Sequence, residues 1–283
     1  MSDTLHINWY PGHMAKARRA LEEAIRQVDV VIQLLDARAP MASMNPDLNR
    51  LAQNKRRVYI LNKADLADPA VTKAWIARLS ADGSLCCSLD ARKGVKRVSD
   101  LVRQAAAELI RRYQEKGVRK TVRAMVVGVP NVGKSTLINS LSGGSRAKTG
   151  DKPGVTRGTQ WIRLGSYLDL LDTPGLLWPH LEEQRLARHL AYTGAINDDV
   201  LDSEELVLAF IEELHERYPQ ALAARYGIDE SVTGREALDA ICARRGWRIG
   251  GAWDYQRAAR VILDEFRAGK CGAISLERPE EEP

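Results

Sequence analysis

The segment that most constrains the fold of this chain is G-V-P-N-V-G-K-S at 128–135. It fits the pattern G-x-x-x-x-G-K-[ST], and it lies between an apolar run at 122–127 and a stretch of helical spacing at 134–141. In a strand, loop and helix of this kind, backbone N–H groups and the helix N-terminus face phosphate oxygens. The sequence therefore predicts a phosphate loop in which Lys134 reaches the β- and γ-phosphates and the Ser135 hydroxyl binds Mg²⁺.

A second segment predicted to face phosphate is D-T-P-G at 172–175, which closes an apolar run. At the end of a strand, the Asp172 carboxylate can hold Mg²⁺ through water, and the Gly175 N–H can meet a γ-phosphate. The loop at 149–158, rich in Gly, Pro and Lys, lies between the two segments. Thr156 in this loop is predicted to complete the Mg²⁺ shell only while a γ-phosphate is bound.

The tetrapeptide N-K-A-D at 62–65 follows another apolar run and predicts the site of the base. The Asp65 carboxylate would accept hydrogen bonds from N1–H and the exocyclic amine of guanine, a donor pair that adenine does not present. Asn62 and the stem of Lys63 would pack against the base. Because a buried carboxylate without donors is costly, such a site rejects the wrong base. The predicted ligand is therefore GTP or GDP rather than ATP.

The segment L-D-A-R at 89–92 is predicted to complete the base site. It follows the apolar run at 85–88, at the place where the guanine O6 would meet a backbone N–H, here that of Asp90 or Ala91. The remaining contacts are predicted within the phosphate loop. The full set of predicted nucleotide-binding residues is Asn62, Lys63, Asp65, Asp90, Ala91, Asn131, Val132, Gly133, Lys134, Ser135, Thr136, Thr156 and Gly175.

Apolar runs rich in β-branched residues alternate with amphipathic stretches through the first 175 residues. This alternation is typical of an α/β layer, a parallel sheet with helices on both faces. The sequence predicts a nucleotide-binding domain at 1–178, with about six mostly parallel strands, and an all-helical domain at 179–283, whose acidic end from Glu277 is expected to fray. The predicted strands are 28–35, 58–61, 85–88, 122–127, 159–164 and 167–171, and the predicted helices of the first domain are 69–79, 95–113 and 134–141.

The formal net charge of +5 is concentrated, since 91–123 holds eleven basic and three acidic residues. This stretch is either a solvated helix or a face for a polyanion such as RNA. The four cysteines form neither a disulfide framework nor a metal-binding pair, and no apolar run is long enough to span a membrane. With no secretory signal in the first residues, we expect a cytoplasmic protein without membrane contact.

The order of the motifs is rotated, because N-K-A-D precedes the phosphate loop, whereas it comes last in Ras-like GTPases. A parallel sheet tolerates such a rotation when the former termini lie close together. The sequence therefore predicts a circular permutation. In this order the segment after Asp172 leads straight into the helical region, so that γ-phosphate contacts are expected to reorient that region.

Four further segments are those of a known family: N-W-Y-P-G-H-M-A-K-A at 8–17, L-D-A-R-A-P at 35–40, N-P at 45–46 and L-A-Y-T-G-A-I at 190–196. With them and the rotated motifs, the chain resembles the YlqF/RbgA family of circularly permuted GTPases over nearly its whole length. The resemblance implies a Mg²⁺-dependent GTPase that acts in late assembly of the large ribosomal subunit. It also implies that the helical domain and the basic surface contact rRNA of the subunit precursor, and we expect a monomer off the ribosome.

Ras-like GTPases place a Gln after D-x-x-G to orient the attacking water. This chain has Leu176 and Leu177 there, so the intrinsic rate of hydrolysis is predicted to be low. The resemblance implies that His13 orients the water once the ribosomal partner is bound, and that Asn131 binds K⁺, a cation that would replace an arginine finger. Lys134 is the other predicted catalytic residue. Without the family, His13 would be interpreted as a histidine of an N-terminal turn.

Three basic stretches are candidates for RNA contact: Lys16 with Arg18 and Arg19, 92–123, and the arginines around Trp247. Arginines beside an exposed Trp can contact phosphate and stack on bases, whereas a buried Trp247 would be a core residue at a helix end. Two functions stay open. One is a GTPase whose turnover the ribosomal particle stimulates, and the other is an RNA-binding scaffold whose shape is set by guanine nucleotide, with incidental turnover.

Overall fold

A computed structural model describes residues 7, 13–90, 94–143, 160–175, 177 and 183–281. The strands of its main sheet are β1 (Val30–Asp36), β2 (Arg56–Asn62), β3 (Leu85–Ser88), β4 (Val122–Val127), β5 (Gln160–Leu164) and β6 (Leu168–Asp172). They lie in the order β3-β2-β1-β4-β6-β5. All neighbouring strands are parallel except β5, which runs antiparallel to β6 at one edge. The predicted α/β layer with six mostly parallel strands is confirmed.

The helices of the described residues are α1 (His13–Gln27), α2 (Pro40–Ser43), α3 (Pro46–Leu51), α4 (Pro69–Leu79), α5 (Val95–Ala105), α6 (Ala107–Gln114), α7 (Lys134–Ser142), α8 (Gln184–Tyr192), α9 (Ser203–Arg217), α10 (Pro219–Tyr226), α11 (Gly234–Arg245) and α12 (Tyr255–Arg267). Short 3₁₀ turns lie at Ala64–Leu66, Asp198–Val200 and Pro279–Glu281. The helix predicted at 69–79 is confirmed. The stretch 95–113 forms two helices, since Ala106 leaves the helical conformation with φ −91° and ψ 0°.

The strands of the sheet are apolar because helices cover both of its faces. Every residue of the central strand β1 is buried. The last five residues of β2 and the last four of β4 are also buried, and exposure is confined to the first two residues of each strand. Continuous Val, Ile and Leu runs are the sequence signal for such strands. For this reason the predicted strands agree with the structure to within two residues at their ends.

The carboxyl ends of β1, β2, β4 and β6 lie at one edge of the sheet, because these strands are parallel. The segments 62–65, 128–135 and 172–175 follow three of these ends. Parallel α/β sheets bind ligands in the crevice at this edge. The rotated order of the motifs therefore still brings them into one crevice.

The region from residue 183 onward is helical as predicted, with one addition. A short hairpin, β7 (Arg248–Ile249) and β8 (Ala252–Trp253), lies between α11 and α12. Gly250 and Gly251 form its turn with φ values of +56° and +86°. A two-residue hairpin turn with positive φ at both positions favours glycine. The Gly-Gly pair is thus the sequence signal for this hairpin.

Glu277 is ordered, so the expectation that the acidic end frays is wrong at its first residue. The side chain is 2% exposed. Its carboxylate accepts hydrogen bonds from the N–H groups of Met41 (2.6 Å) and Ala42 (3.1 Å), and it lies 2.8 Å from His189 Nδ1. Trp75 Nε1 donates to the Glu277 carbonyl at 3.2 Å. An acidic side chain is retained here because it satisfies N–H groups in the first turn of α2.

One continuous apolar core runs from the sheet into the helical region. Leu177, next to the predicted domain boundary at 178, is fully buried in it. Within the helical region, the Phe210 ring lies 5.1 Å from that of Tyr192 and 4.9 Å from that of Phe266, between ring centroids. In the part of the chain that the structure describes, no helix is both long and apolar enough to cross a lipid bilayer.

Candidate nucleotide site

The phosphate loop folds tightly between β4 and α7, and its neighbours require two of its glycines. A Cβ atom on Gly128 would lie 2.5 Å from the Leu34 carbonyl oxygen, and one on Gly133 would lie 2.3 Å from Asn62 Nδ2. Gly133 also has φ +100°, a conformation that side chains rarely adopt. The loop therefore lies in direct contact with β1 and with the predicted base segment after β2.

Lys134, the first residue of α7, is buried with its ammonium group inside the loop. Nζ donates hydrogen bonds to the carbonyl oxygens of Gly128 (3.0 Å) and Val129 (2.8 Å). Burial lowers the pKa of Lys134 to about 8, although the nearby Asp172 carboxylate acts in the opposite direction. A bound phosphate would favour the charged ammonium. The group is therefore placed to exchange loop carbonyls for phosphate oxygens.

Asp172, at the end of β6, carries the evidence for a cation. Its side chain is buried, and Oδ1 has no hydrogen-bond partner among the described residues. Burial raises the pKa of Asp172, with Lys134 opposing the rise. A buried carboxylate oxygen without a partner is costly, and Mg²⁺ would satisfy it directly or through water. Ser135 supplies a hydroxyl oxygen in the first turn of α7, so the residues present fit this ion.

The segment 172–175 packs directly against the phosphate loop. A Cβ atom on Gly175 would lie 2.7 Å from Pro130 Cα and 2.8 Å from Pro130 N, so only glycine fits there. The Thr173 hydroxyl donates to the Val126 carbonyl at 2.6 Å and anchors the segment to β4. The two segments predicted to face phosphate therefore form one unit at the ends of β4 and β6.

The two segments predicted to face the base also lie together. The Ala64 N–H donates to the Leu89 carbonyl (2.9 Å), and the Leu89 N–H donates to the Leu61 carbonyl (2.8 Å). Asp65 lies in a 3₁₀ turn with its side chain exposed, and Asp90 is half-buried. The Asp65 carboxylate is thus accessible to the donors of a ligand.

Asn62 and Lys63 connect this base side to other parts of the site. Asn62 Nδ2 donates to the Val132 carbonyl at 2.8 Å, which joins the base segment to the phosphate loop. Lys63 has φ +57°, and its Nζ donates to Asp36 Oδ2 at 3.0 Å. Asp36, the last residue of β1, and Lys63, which follows β2, are therefore joined at the carboxyl ends of these two strands.

A buried ion pair between Asp36 and Arg38 lies behind Lys63. Nε and Nη2 of Arg38 donate to Oδ1 and Oδ2 of Asp36, each at 2.9 Å. Burial alone would raise the pKa of Asp36, but Arg38 and Lys63 hold it well below its usual range. Sequence reasoning missed this group. The motif L-D-A-R-A-P contains the pair, but nothing in its spacing indicates that Lys63 completes it.

Asn131 extends from the phosphate loop to the helical region. It has φ +56°, and its Nδ2 donates to the Gly194 carbonyl at 2.8 Å. A K⁺ ion would therefore have to be coordinated through Oδ1. Val132 is buried and Thr136 is half-buried in the same loop and helix. The predicted site residues that lie outside the described ones are Ala91, Thr156 and the side chain of His13.

Trp247 is not available to stack on RNA bases. It is 7% exposed and belongs to the apolar core. The guanidinium groups of Arg245 and Arg257 lie 6.0 and 5.9 Å from its ring centroid. The interpretation of Trp247 as a core residue at a helix end is confirmed, and the stacking interpretation is wrong.

Comparisons with known proteins agree with this arrangement. The model of a family described as 50S ribosome-binding GTPase matches residues 123–228. Ribosome biogenesis GTPase A of Bacillus cereus is 43% identical, over 97% of this chain and 95% of its own length. The protein of the same name from Thermotoga maritima is 32% identical, again over 97% of this chain and 95% of its own length.

A solved structure shares the architecture. The crystal structure of GNP-bound YlqF from T. maritima is 28% identical and matches with a TM-score of 0.68, covering 94% of this chain and 100% of that one. The curated relatives and this structure match along nearly the full length, and the rotated motifs meet in one crevice. The chain is therefore a circularly permuted GTPase and belongs to the ribosome biogenesis GTPase A family.

Proposed function

We propose that this GTPase is an assembly factor for the large ribosomal subunit, and that contact with the subunit precursor stimulates its GTP hydrolysis. The observation that carries the proposal is the pair Leu176-Leu177 after D-T-P-G. Neither side chain can orient an attacking water, and Leu177 is fully buried. A group outside this motif must therefore complete the site. Relatives named for ribosome biogenesis, and a family described as 50S ribosome-binding, support a ribosomal partner.

The nucleotide is proposed to lie along the crevice, with guanine on the β2 side and the phosphates on the β4 side. Mg²⁺, when bound, neutralises charge on the β- and γ-phosphate oxygens. The proposed guanine residues are Asn62, Lys63, Asp65, Asp90 and Ala91. The proposed phosphate residues are Asn131, Val132, Gly133, Lys134, Ser135, Thr136 and Gly175. The proposed Mg²⁺ residues are Ser135, Thr156 and Asp172, and the unpartnered Oδ1 of Asp172 supports this set.

Lys134 and His13 are the proposed catalytic residues. The Lys134 ammonium would move from loop carbonyls onto the γ-phosphate, where it stabilises the charge that develops during transfer. His13 is the first residue of α1, and its imidazole would orient the attacking water when the ribosomal precursor holds this end of the helix in place. Asn131 would hold K⁺ through Oδ1, which places a positive charge where other GTPases use an arginine.

The partner is proposed to be rRNA of the precursor, contacted by the basic stretch 92–123 and by the helical region. Arg111 and Arg112 on α6 have side chains that are 71% and 65% exposed, so they are accessible to phosphates. The proposed domains are 1–178 and 179–283, and γ-phosphate contacts after Asp172 would reorient the second domain. Off the ribosome the protein is proposed to be monomeric and cytoplasmic. Binding to rRNA should weaken with added salt, because phosphate contacts release counterions.

The test is GTP turnover with and without large ribosomal subunits. We expect the subunits to stimulate the wild type by about 1,000-fold or more, which is the lower end of the scale of activation by GTPase partners. A protein that acts as a scaffold with incidental turnover would show no stimulation. Repeating the assay in K⁺ and in Na⁺ tests Asn131, since equal rates would remove the K⁺ site from the proposal.

The variant His13→Ala tests the water-orienting role. We expect it to keep its GTP affinity and to lose most of the stimulation by subunits. His215→Ala is a matched control, because His215 is a histidine on α9 and has no assigned role in the site. Full stimulated turnover in His13→Ala would refute the catalytic role of His13 and leave the nucleotide site itself unaffected.

A further inference from the structure

The proposed base segment is held from outside by the last part of the helical region. We define the guanine loop as residues 62–68 and the C-terminal brace as residues 266–277. The Ile274 N–H donates to the Leu66 carbonyl at 3.0 Å. The Asp68 N–H donates to the Ser275 hydroxyl oxygen at 3.1 Å. Both contacts fall within three residues of Asp65, the residue proposed to read the base.

The side chain of Leu66 is also held by the brace. A Cβ atom on Gly269 would lie 2.6 Å from Leu66 Cδ2, so the leucine side chain rests directly on this glycine. Gly269 has φ +73° and follows the end of α12. The turn after α12 is therefore shaped to receive the residue next to Asp65.

The brace reaches the other side of the guanine loop through Arg38. The Arg38 guanidinium lies over the Phe266 ring at 4.9 Å and donates from Nη1 to the Phe266 carbonyl at 3.5 Å. The Leu276 N–H donates to the Arg38 carbonyl at 2.7 Å. Arg38 binds Asp36 through two hydrogen bonds, and Asp36 accepts from Lys63. Lys63 and Leu66, which flank Asp65 on either side, are thus both connected to the brace.

Such support matters because the hydrogen bonds that join Asn62, Lys63 and Ala64 to the rest of the site all precede Asp65. Lys63 has a positive φ, which L residues adopt only when surrounding contacts hold them there. Asp65 is exposed in a single 3₁₀ turn. Recognition of a base depends on placing an acceptor accurately against its donors. An exposed residue in a short turn acquires that placement from its neighbours on both sides.

We propose that the C-terminal brace positions the guanine loop and thereby sets the affinity and selectivity of the protein for guanine, an inference that rests on the proposed assignment of Asn62, Lys63 and Asp65 to the base. The brace contacts Arg38, Leu66 and Asp68 rather than the proposed base-binding residues, so its residues are positioning residues. By thermodynamic linkage, a guanine nucleotide that orders the loop also strengthens docking of the brace. Under this proposal, docking of the helical region depends on the bound base as well as on the phosphates.

Two variants of the full-length protein test the brace. Gly269→Ala places a methyl group against Leu66, and Ser275→Ala removes the acceptor of the Asp68 N–H. We expect each to weaken GDP binding by about 2- to 10-fold, the value of one hydrogen bond or packing contact. Binding of IDP, whose base lacks the exocyclic amine, should weaken less. The measured quantity is the ratio of the GDP and IDP affinities, which a general loss of stability would leave unchanged.

Each variant has a matched control. Gly246→Ala adds the same methyl group at another helix end with φ +66°, where no atom lies within 4 Å of the new carbon. Ser231→Ala removes a hydroxyl that donates to Asp229 Oδ1 at 2.7 Å in an exposed turn. Both controls should keep the wild-type ratio of GDP to IDP affinity. A fall in the ratio for Gly269→Ala and Ser275→Ala alone supports the brace.

Asp65→Asn separates failure of the brace from failure of the base assignment. If Asp65→Asn lowers the ratio while Gly269→Ala and Ser275→Ala leave it at the wild-type value, the brace is refuted and the base site stands. The same holds if the two brace variants weaken GDP and IDP equally. If Asp65→Asn itself leaves the ratio unchanged, the proposed base site is refuted. Ser275→Ala is the milder substitution, so it decides the outcome if Gly269→Ala does not fold.

Discussion

The ammonium group of the phosphate loop is held by residues that are neighbours in the chain, whereas the guanine loop is supported from far along the chain. Lys134 bonds to carbonyl groups six and five residues before it. At the base end, Asp68 and Ser275 are 207 residues apart, and Arg38 and Phe266 are 228 residues apart. One nucleotide would therefore be held by a local structure at one end and by tertiary structure at the other.

This difference determines how each end responds to a substitution. The conformation of a short loop depends mainly on its own residues, so a change of side chain there can remove function and leave the fold intact. Long-range contacts belong to the cooperative tertiary structure, so a change there alters stability together with ligand binding. The following substitutions separate the two ends.

The largest effect is expected for Lys134→Ala at the phosphate end. Loss of the ammonium should lower GTP turnover by about 100-fold or more, the scale for a group that stabilises transition-state charge. Because Nζ bonds to carbonyls of its own loop, the thermal unfolding temperature should change little. Turnover assays and thermal unfolding measure the two properties. Lys73→Ala, an exposed lysine of α4, is the control, and equal activity of the two variants would contradict the local role of Lys134.

Asp65→Asn should cause the next largest effect, at the base end. The asparagine amide keeps one acceptor oxygen and loses the other, and a hydrogen bond to a charged acceptor is worth about 1.5–3 kcal/mol, so guanine affinity should fall by about 10- to 100-fold. Xanthine carries a carbonyl where guanine carries the amine, so its nucleotide should gain affinity from the new amide. Titration with GDP and XDP measures both changes. An unchanged GDP affinity would refute the assignment of the base to Asp65 and would indicate that guanine binds elsewhere in the crevice.

Glu277→Gln tests the long-range contacts at the last residue of the C-terminal brace, where the side chain bonds to α2. A neutral amide cannot replace the carboxylate that accepts from Met41 and Ala42 and faces His189. We expect the free energy of unfolding to fall by about 1.5–3 kcal/mol, the value of hydrogen bonds to a charged group. Denaturant unfolding measures it. Glu280→Gln, on an exposed side chain near the same end of the chain, should have no effect.

The stability lost in Glu277→Gln should depend on pH through His189. Burial lowers the pKa of His189, but hydrogen bonds to Glu213 and Glu277 leave it above its usual value. A raised histidine pKa contributes stability that is complete below about pH 6.5 and is lost as the pH rises through the raised pKa. The difference between wild type and Glu277→Gln should therefore shrink as the pH rises above about 6.5. A difference independent of pH would show that Glu277 does not raise the pKa of His189.

The smallest effect is expected from a change of pH, which alters the charge of Lys134 at the phosphate end. With a pKa of about 8, Lys134 loses most of its charge between pH 7 and 8.5 in the free protein, and nucleotide affinity should fall by about fourfold. Phosphate binding should be accompanied by proton uptake near pH 8, which calorimetry in two buffers measures. Lys134→Arg keeps its charge over this range. If this variant shows the same fall, another group is responsible.

The same difference between local and long-range contacts explains which parts of the structure the sequence predicts. The strands and the phosphate loop follow from residues close together in the chain, because apolar runs form buried strands and glycines permit the loop. Asn62, Lys63 and Asp65 are also found from a local motif. No local pattern pairs Lys63 with Asp36 or Leu66 with Gly269, since these contacts exist only after the sheet and the helical region have packed.

At Glu277 the local sequence predicts the wrong environment for the side chain. An acidic stretch with proline is usually solvated and frayed, and the sequence around Glu277 gives no sign of its partners on α2 and α8. The side chain is buried because those elements present N–H groups and an imidazole that need an acceptor. A charged residue at the end of a chain can therefore be part of the core, and only its tertiary partners reveal this.

The rotated order of the motifs also has a consequence during translation. Residues 62–68 are synthesised long before the brace, and at about 5–20 residues per second the 207 residues between Asp68 and Ser275 take about 10–40 s. The phosphate loop is completed within this interval. A nascent chain would thus gain affinity for phosphate before it gains selectivity for guanine. Under the proposed role of the brace, full discrimination of the base would require a chain that has been translated through residue 277.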